Sequence, residues 1–403
     1  MARRGGVAPS STARTAITLL FLGALSQAAC APPSPAGPPG PKAALLPEPD
    51  AEGRGWVEET LASLSLREAI GQLIIPWISG AYASTTGPEF QEYLRYVEEA
   101  GIGGVVISIG LPHTYGAKLN ALQDRAEIPL LVGSDFENGG PGMRINHSYA
   151  LPTLLPQGGG TSFPPTMAFG AIGDEGFARE YGRITAVEAR AVGVHLNFAP
   201  VLDVNSNPLN PIINTRSFGE DPEEVARLGA AYLAGAREGG VLTTAKHFPG
   251  HGDTKTDSHV ELPIVDADRE RLEALELIPF RRAVSEGVDA VMTAHVAVPG
   301  ILGPEGVPAT LSPYFLTELL REDRGFDGLL LTDALRMRAI SDGYGVGEAA
   351  SLAVEAGADI ILAPADIWVT LDALEEAVRS GRISRQRIDA SVRRILEMKA
   401  RGG

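Results

Sequence analysis

An α/β chain folded as a single (β/α)8 TIM barrel is what this sequence predicts, and three observations lead there. Eight short, β-rich apolar runs recur along the chain, most of them continuous rather than alternating, as strands buried on both faces of a parallel sheet require. Longer amphipathic stretches separate the runs, and no Pro/Gly-rich break or composition shift divides the alternation. The length of 403 residues suits one large barrel or two ordinary domains, and 44% apolar with 21% charged residues describes a soluble, well-cored chain. A doubly wound sheet is the alternative reading of the same alternation. No repeat of solenoid period is visible.

In chain order, residues 1–30 come first and read as an export signal. Arg3, Arg4 and Arg14 precede the apolar stretch 15–25, which is too short to span a bilayer comfortably, and the small residues Ala28 and Ala29 follow. Cys30, the one cysteine of the chain, comes immediately after them and has the position of an acylated lipoprotein cysteine, with Gln27 where that pattern usually has leucine. The expectation is an exported protein, either a lipoprotein held to the membrane through Cys30 or a periplasmic or secreted enzyme. With no second cysteine, an internal disulfide is excluded. Residues 31–55 are Pro-rich and read as a semi-rigid tether. The formal charge is −16, and the first 29 residues hold three arginines and no acid, so the body is more acidic still. Nucleic acid and anionic membrane are poor partners for such a surface.

Residues 56–403 form the barrel domain. Its candidate strands are 73–78, 104–108, 130–134, 196–203, 242–246, 290–294, 329–332 and 360–363. Helix-like stretches include 175–192, 222–238, 269–285 and 313–321, and 384–401 reads as a closing helix. On this layout ionisable residues fall at strand ends: Asp135 and Glu137 after the third strand, Asp203 at the fourth, Lys246 and His247 at the fifth, His295 at the sixth, Asp333 at the seventh. Any one of these carboxylates has an ordinary explanation as a cap. Asp333 resists it, because it follows the run Gly328-Leu329-Leu330-Leu331-Thr332 and should emerge from the barrel floor into the mouth.

The densest cluster is KHFPGHGDTKTDSH, residues 246–259, directly after the fifth strand. A loop that gathers Lys246, three histidines and two aspartates at the end of a buried strand is placed to bind something polar. Asp257 and His259 are two residues apart, so the carboxylate can accept a hydrogen bond from one imidazole nitrogen and leave the other to deliver and retrieve a proton. The rival reading is a metal site from His247, His251, Asp253, Asp257 and His259. Pro249 and Gly250 would break the helix that the His247–His251 spacing needs, though a loop can converge ligands without it. A buried-edge carboxylate such as Asp333 facing a proton donor across a pocket is the arrangement of a retaining glycosidase.

KHFPGHGDTKTDSH, with TDALRM downstream and APVLDVNSNPLNPIINTRSFGEDP upstream, resembles glycoside hydrolase family 3, specifically its bacterial β-N-acetylhexosaminidase branch, over nearly all of residues 65–398. The resemblance implies a retaining hydrolase acting on oligosaccharides that end in β-linked N-acetylglucosamine. It assigns Asp333 in TDAL as nucleophile and His259 with Asp257 in DSH as the acid/base pair. Lys246, His247, Asp135 in GSDFENGG and Arg216 in NTRSF match binders of sugar hydroxyls. Where the family usually reads Asp-x-Glu-Gly-Gly-Arg-Val-x-Arg, this chain has DFENGGPGMR, with Asn138 inserted, Pro141 in place of the first arginine, and Arg144 aligned with the second. No GxGxxG order appears, and the expectation is a reaction with no cofactor and no metal. A phosphorylase or a β-glucosidase on the same fold, and an inactive exported sugar-binding protein, are the alternatives.

Overall fold

The computed structural model describes residues 48–145, 148–150, 155–304 and 306–402. The expected signal, Cys30 and most of the Pro-rich tether lie outside the described residues. The tether's last part is helical instead. Asp50 caps Ala51–Ser63 by accepting from the Gly53 N–H at 2.8 Å, and Glu58 of this helix pairs with Arg393 of the closing helix. Residues 51–55 thus belong to the folded body, because a capped helix with partly buried Trp56 and buried Val57 has something to pack against.

The strands are β1 Ile74–Ile75, β2 Trp77–Ser79, β3 Gly104–Ser108, β4 Leu131–Ser134, β5 Ser148–Ala150, β6 Leu155–Gln157, β7 Leu196–Asn197, β8 Leu242–Phe248, β9 Ala290–Thr293, β10 Leu329–Leu331 and β11 Ile361–Leu362. Seven of them form one curled parallel sheet in the order β10-β9-β8-β7-β4-β3-β2, as in a TIM-like barrel. β11 pairs in parallel with β1 as a separate ladder and touches β10 at Leu331 and Ile360. β5 and β6 make a small antiparallel hairpin that periodicity did not announce.

Every residue of β3 and of β8 is buried, which explains why neither run alternates, although β8 carries Lys246 and His247 into the site at its far end. The helices Glu175–Ala191 and Pro222–Glu238 cover one part of the sheet, each opened by an aspartate cap, Asp174 and Asp221. Arg385–Gly402 closes the chain, with the Ser384 hydroxyl accepting from the Arg387 N–H.

Four expected elements differ in detail, the first being strand 73–78, which breaks at Pro76 into Ile74–Ile75 and Trp77–Ser79 in separate ladders. The fourth strand stops at Asn197 and resumes only as an isolated bridge between Val201 and Lys246, since Pro200 can donate no ladder hydrogen bond. The stretch 269–285 is two helices, Arg269–Ala274 and Leu277–Ser285, and the stretch near 313–321 winds more widely, as a π-helix over Tyr314–Glu322.

Candidate active site

A cavity of about 460 Å³ opens where the parallel strands end. Seven of the eight sequence-derived site residues line it: Asp135, Arg144, Arg216, Lys246, His247, His259 and Asp333. Asp257, the eighth, stands behind His259 and holds it.

The inner wall is a charge clamp built from two strand ends. Lys246, at the end of β8 and 2% exposed, donates to Asp135 at 2.8 Å and lies 2.7 Å from Glu137. Arg216 forks onto the same Glu137, Nε to Oε1 at 2.7 Å and Nη2 to Oε2 at 3.0 Å. Burial works against each of these charges. Arg216 and Lys246 nevertheless hold the Glu137 carboxyl well below the usual range, and Asp135 and Glu137 raise the Lys246 ammonium. The result is a rigid set of donors and acceptors whose spare lone pairs and protons suit sugar hydroxyls.

Asp203 organises the next layer. Its carboxylate takes the Nδ1–H of His247 at 2.7 Å and the backbone N–H of His251 at 2.6 Å. With Nδ1 so engaged, Nε2 of His247 is turned toward Arg216, at 3.4 Å. His251 is buried, its imidazole pushed down to about 4 by that burial, and its ring spans Thr254 at 2.8 Å and Ser258 at 3.1 Å. Ser258 adjoins His259, so the buried network anchors the loop that carries this imidazole.

Asp333 lies at the end of β10. Burial opposes its ionisation, but His295, His247, the Ala334 N–H at 2.7 Å and Lys246 together outweigh burial and keep its carboxyl below the ordinary range. It is therefore an anion at neutral pH, as an attacking carboxylate must be. His295 steadies the adjoining backbone by donating from Nε2 to the Ala334 carbonyl at 3.1 Å. On the loop, Asp257 accepts both the backbone N–H of His259 at 2.9 Å and its Nδ1–H at 2.8 Å. The imidazole is 61% exposed, and its Nε2 has no hydrogen-bond partner among the described residues.

The metal reading of this loop does not assemble. Asp203 holds His247, Thr254 and Ser258 take both ring nitrogens of His251, Asp253 pairs with Arg271 at 3.1 Å, and Asp257 pairs with His259. Among the described residues no group of three or more His, Cys, Asp or Glu is placed to hold a metal ion.

Residues 65–398 match the glycosyl hydrolase family 3 N terminal domain. The chain belongs to glycoside hydrolase family 3. It is 36% identical over 352 residues to beta-hexosaminidase A of Pseudoalteromonas piscicida, a match covering 80% of this chain and 56% of that protein. It is 34% identical over 384 residues to beta-hexosaminidase LpqI of Mycobacterium tuberculosis (strain ATCC 25618 / H37Rv), covering 91% of this chain and 90% of that one. Among solved structures, a glycoside hydrolase family 3 beta-N-acetylglucosaminidase from Paenibacillus sp. str. FPU-7 superposes with a TM-score of 0.77 at 44% identity, over 84% of this chain and 63% of that one. The chain thus spans less than two thirds of the length of the Pseudoalteromonas and Paenibacillus proteins.

Against the family pattern, the departure after β4 has a visible structure. Asn138, the inserted residue, accepts from the Thr166 N–H at 3.0 Å, and Pro141 opens a short 3-10 turn, Pro141–Met143. Arg144 is brought back to the cavity, Nε to the Asp135 carbonyl at 3.4 Å and Nη2 3.9 Å from its carboxylate. Glu137, Asp203, His251 and His295 received no role from the resemblance. Their signal was present in part, because Glu137, Asp203 and His295 all sit at strand ends where an apolar run meets a charge.

Proposed function

We propose that this protein is a retaining exo-glycosidase that hydrolyses terminal β-linked N-acetylglucosamine through a covalent glycosyl intermediate on Asp333. The observation that carries the reading is one cavity lined by an ionised buried carboxylate, an aspartate-backed imidazole and a polar clamp able to seat a sugar.

In the first step the Asp333 carboxylate attacks the anomeric carbon while the His259 imidazolium gives its Nε2 proton to the departing oxygen. The glycosidic C–O bond breaks as the Asp333–sugar bond forms. In the second step neutral His259 takes a proton from water, the hydroxyl attacks the same carbon, and Asp333 leaves with its charge restored. Asp257 stabilises each imidazolium. Asp135, Arg144, Arg216, Lys246 and His247 position the sugar, a contribution of orientation rather than proton transfer. The chemistry calls for neither metal nor cofactor.

The same reading takes β11 as the eighth stave of a closed (β/α)8 barrel. In its support, the Thr332 N–H donates to Ile360 at 3.0 Å, and Ile361 and Ala363 donate to Leu73 and Ile75, each at 2.8 Å. Export, with acylation at Cys30, completes the proposal on the pattern of residues 1–30.

Purified protein incubated with aryl β-N-acetylglucosaminide and aryl β-glucoside, each with and without phosphate, tests the activity. The expected result is phosphate-independent release from the N-acetyl sugar. Phosphate-dependent release would make the enzyme a phosphorylase, preference for the glucoside a β-glucosidase, and sugar binding without turnover a binding protein. Asp333→Ala should lower turnover by on the order of a thousandfold or more, and a mechanism-based fluorosugar should label the peptide containing Asp333; a label elsewhere overturns the nucleophile assignment.

A further inference from the structure

A second cavity, of about 320 Å³, shares no lining residue with the active site. Pro129, Leu130 and Leu131 bring it to the start of β4, His195 stands one residue before β7, and Trp56 and Lys399 reach it from the helices Ala51–Ser63 and Arg385–Gly402. The active site lies where the same strands finish, with Asp135 just after β4. The volume falls in the lower part of the range of about 300–1,000 Å³ that small-molecule sites occupy.

The wall is apolar for the most part, and apart from exposed Glu52 its polar side chains are donors short of acceptors. Lys399 Nζ donates to the Gln72 carboxamide at 2.6 Å, its one partner among the described residues, so the other protons of the ammonium are unmatched. No carboxylate supports that charge; burial alone acts on it, and lowers it. At His195, Nδ1 accepts the Val132 N–H at 3.2 Å, which puts the hydrogen of the neutral ring on Nε2, and Nε2 has no acceptor among the described residues. Burial, with Arg190 and Lys399 adding to it, pushes this imidazole down to about 4. Since Lys399 acts on His195, the two donors share one neighbourhood.

A buried ammonium without a counter-charge is costly, and methionine would fill the same space without that cost. An anionic acceptor would supply what both donors lack. A neutral ligand would leave the cation uncompensated, and a bare inorganic anion would leave the apolar wall uncovered.

We propose that this cavity binds a small monocarboxylic acid, its carboxylate accepting from Lys399 and His195 and its apolar body lying against Trp56, Pro129 and Leu130. Hydrogen bonds between charged partners are roughly twice as strong as neutral ones, and the indole supplies a broad apolar face. Because the wall is drawn from the first helix, the closing helix and the strand starts together, a bound acid fastens all three and stabilises the folded state without entering the catalytic cavity.

Octanoate, octanol and octylamine share a tail and differ in head group, so the test titrates each into the purified protein by calorimetry and follows thermal unfolding beside it. Octanoate should bind about tenfold more tightly than octanol and raise Tm, with octylamine the weakest. Lys399→Met should bring octanoate down to the affinity of octanol, whereas Lys399→Arg should retain part of the preference. Trp56→Ala should weaken acid and alcohol alike. Octanoate should leave hydrolysis of an aryl glycoside by wild type unchanged. Equal wild-type affinity for acid and alcohol, no octanoate binding, or a preference for the acid that survives Lys399→Met overturns the assignment. Competitive inhibition by octanoate would put the acid in the active site and overturn it as well.

Discussion

Lys246 keeps its charge where burial alone would remove it, because Asp135 and Glu137 reach it from the neighbouring strand end. Removing one partner of such a buried set costs about 3–5 kcal/mol, so the clamp stays ordered before substrate arrives. His259 is the opposite case, exposed and, among the described residues, held through Asp257 alone. A positioned general acid contributes on the order of 10²- to 10⁴-fold. His259→Ala should lose that much on unactivated disaccharides and far less on an aryl glycoside whose phenolate leaves without help. Steady-state rates on the two substrate kinds decide it: an equal loss would make His259 a binding residue only.

Between elements, close packing sets the geometry on which the site depends. The helices Glu175–Ala191 and Pro222–Glu238 meet through glycines: a Cβ on Gly235 would stand 1.8 Å from the Arg179 carbonyl oxygen, and one on Gly182 would stand 2.2 Å from that of Tyr232. These obstacles are backbone, which cannot swing aside as a flexible side chain does. Gly235→Ala should therefore destabilise the protein by about 1–3 kcal/mol through overpacking, although alanine is the better helix former. Urea unfolding with an unchanged slope is the measurement; a variant as stable as wild type would show that the helices can part at no cost. The His259 loop is fixed by a comparable economy of contacts, with Asp203 holding His251 and His251 holding Ser258.

For the molecule as a whole, a buried lysine ties stability to pH. Lys399 of the closing helix donates to Gln72 at 2.6 Å, and burial pushes its ammonium down to about 7 from the ordinary 10.5. Between these values the unfolded chain binds a proton that the folded one has released, so this group's contribution to stability rises with pH through that window, and its penalty is complete below about 7. In Lys399→Met that dependence disappears. The difference in Tm between variant and wild type should fall steadily in the variant's disfavour from pH about 7 to about 10, while the orphaned Gln72 oxygen adds an offset that does not vary with pH. A pH-independent difference would mean that Lys399 titrates normally. Location is the other property at this scale. If Cys30 is acylated, Cys30→Ser should move the enzyme from the membrane to the soluble fraction with its specific activity unchanged, since an acidic body gains nothing from anionic lipid. A wild type already wholly soluble, with a mature terminus elsewhere, overturns it.

Local patterns carried much of this. Continuous, largely apolar runs located the strands because a strand buried on both faces has no solvent-facing side to alternate with, and turn-rich DSH held Asp257 and His259 two residues apart, near enough to bond whatever the rest of the chain did. The place of Asp333 at a strand end was legible for the same reason. The partnerships were not. Lys246 meets Asp135 across 111 positions, Arg216 meets Glu137 across 79, and His247 meets Asp203 across 44. Periodicity records whether a residue is buried, not which distant strand will lie beside it. The order of strands in the curled sheet, settled by tertiary packing, determined which carboxylates neutralise which cations and left the Arg336 guanidinium beside Trp77 with no acidic partner among the described residues.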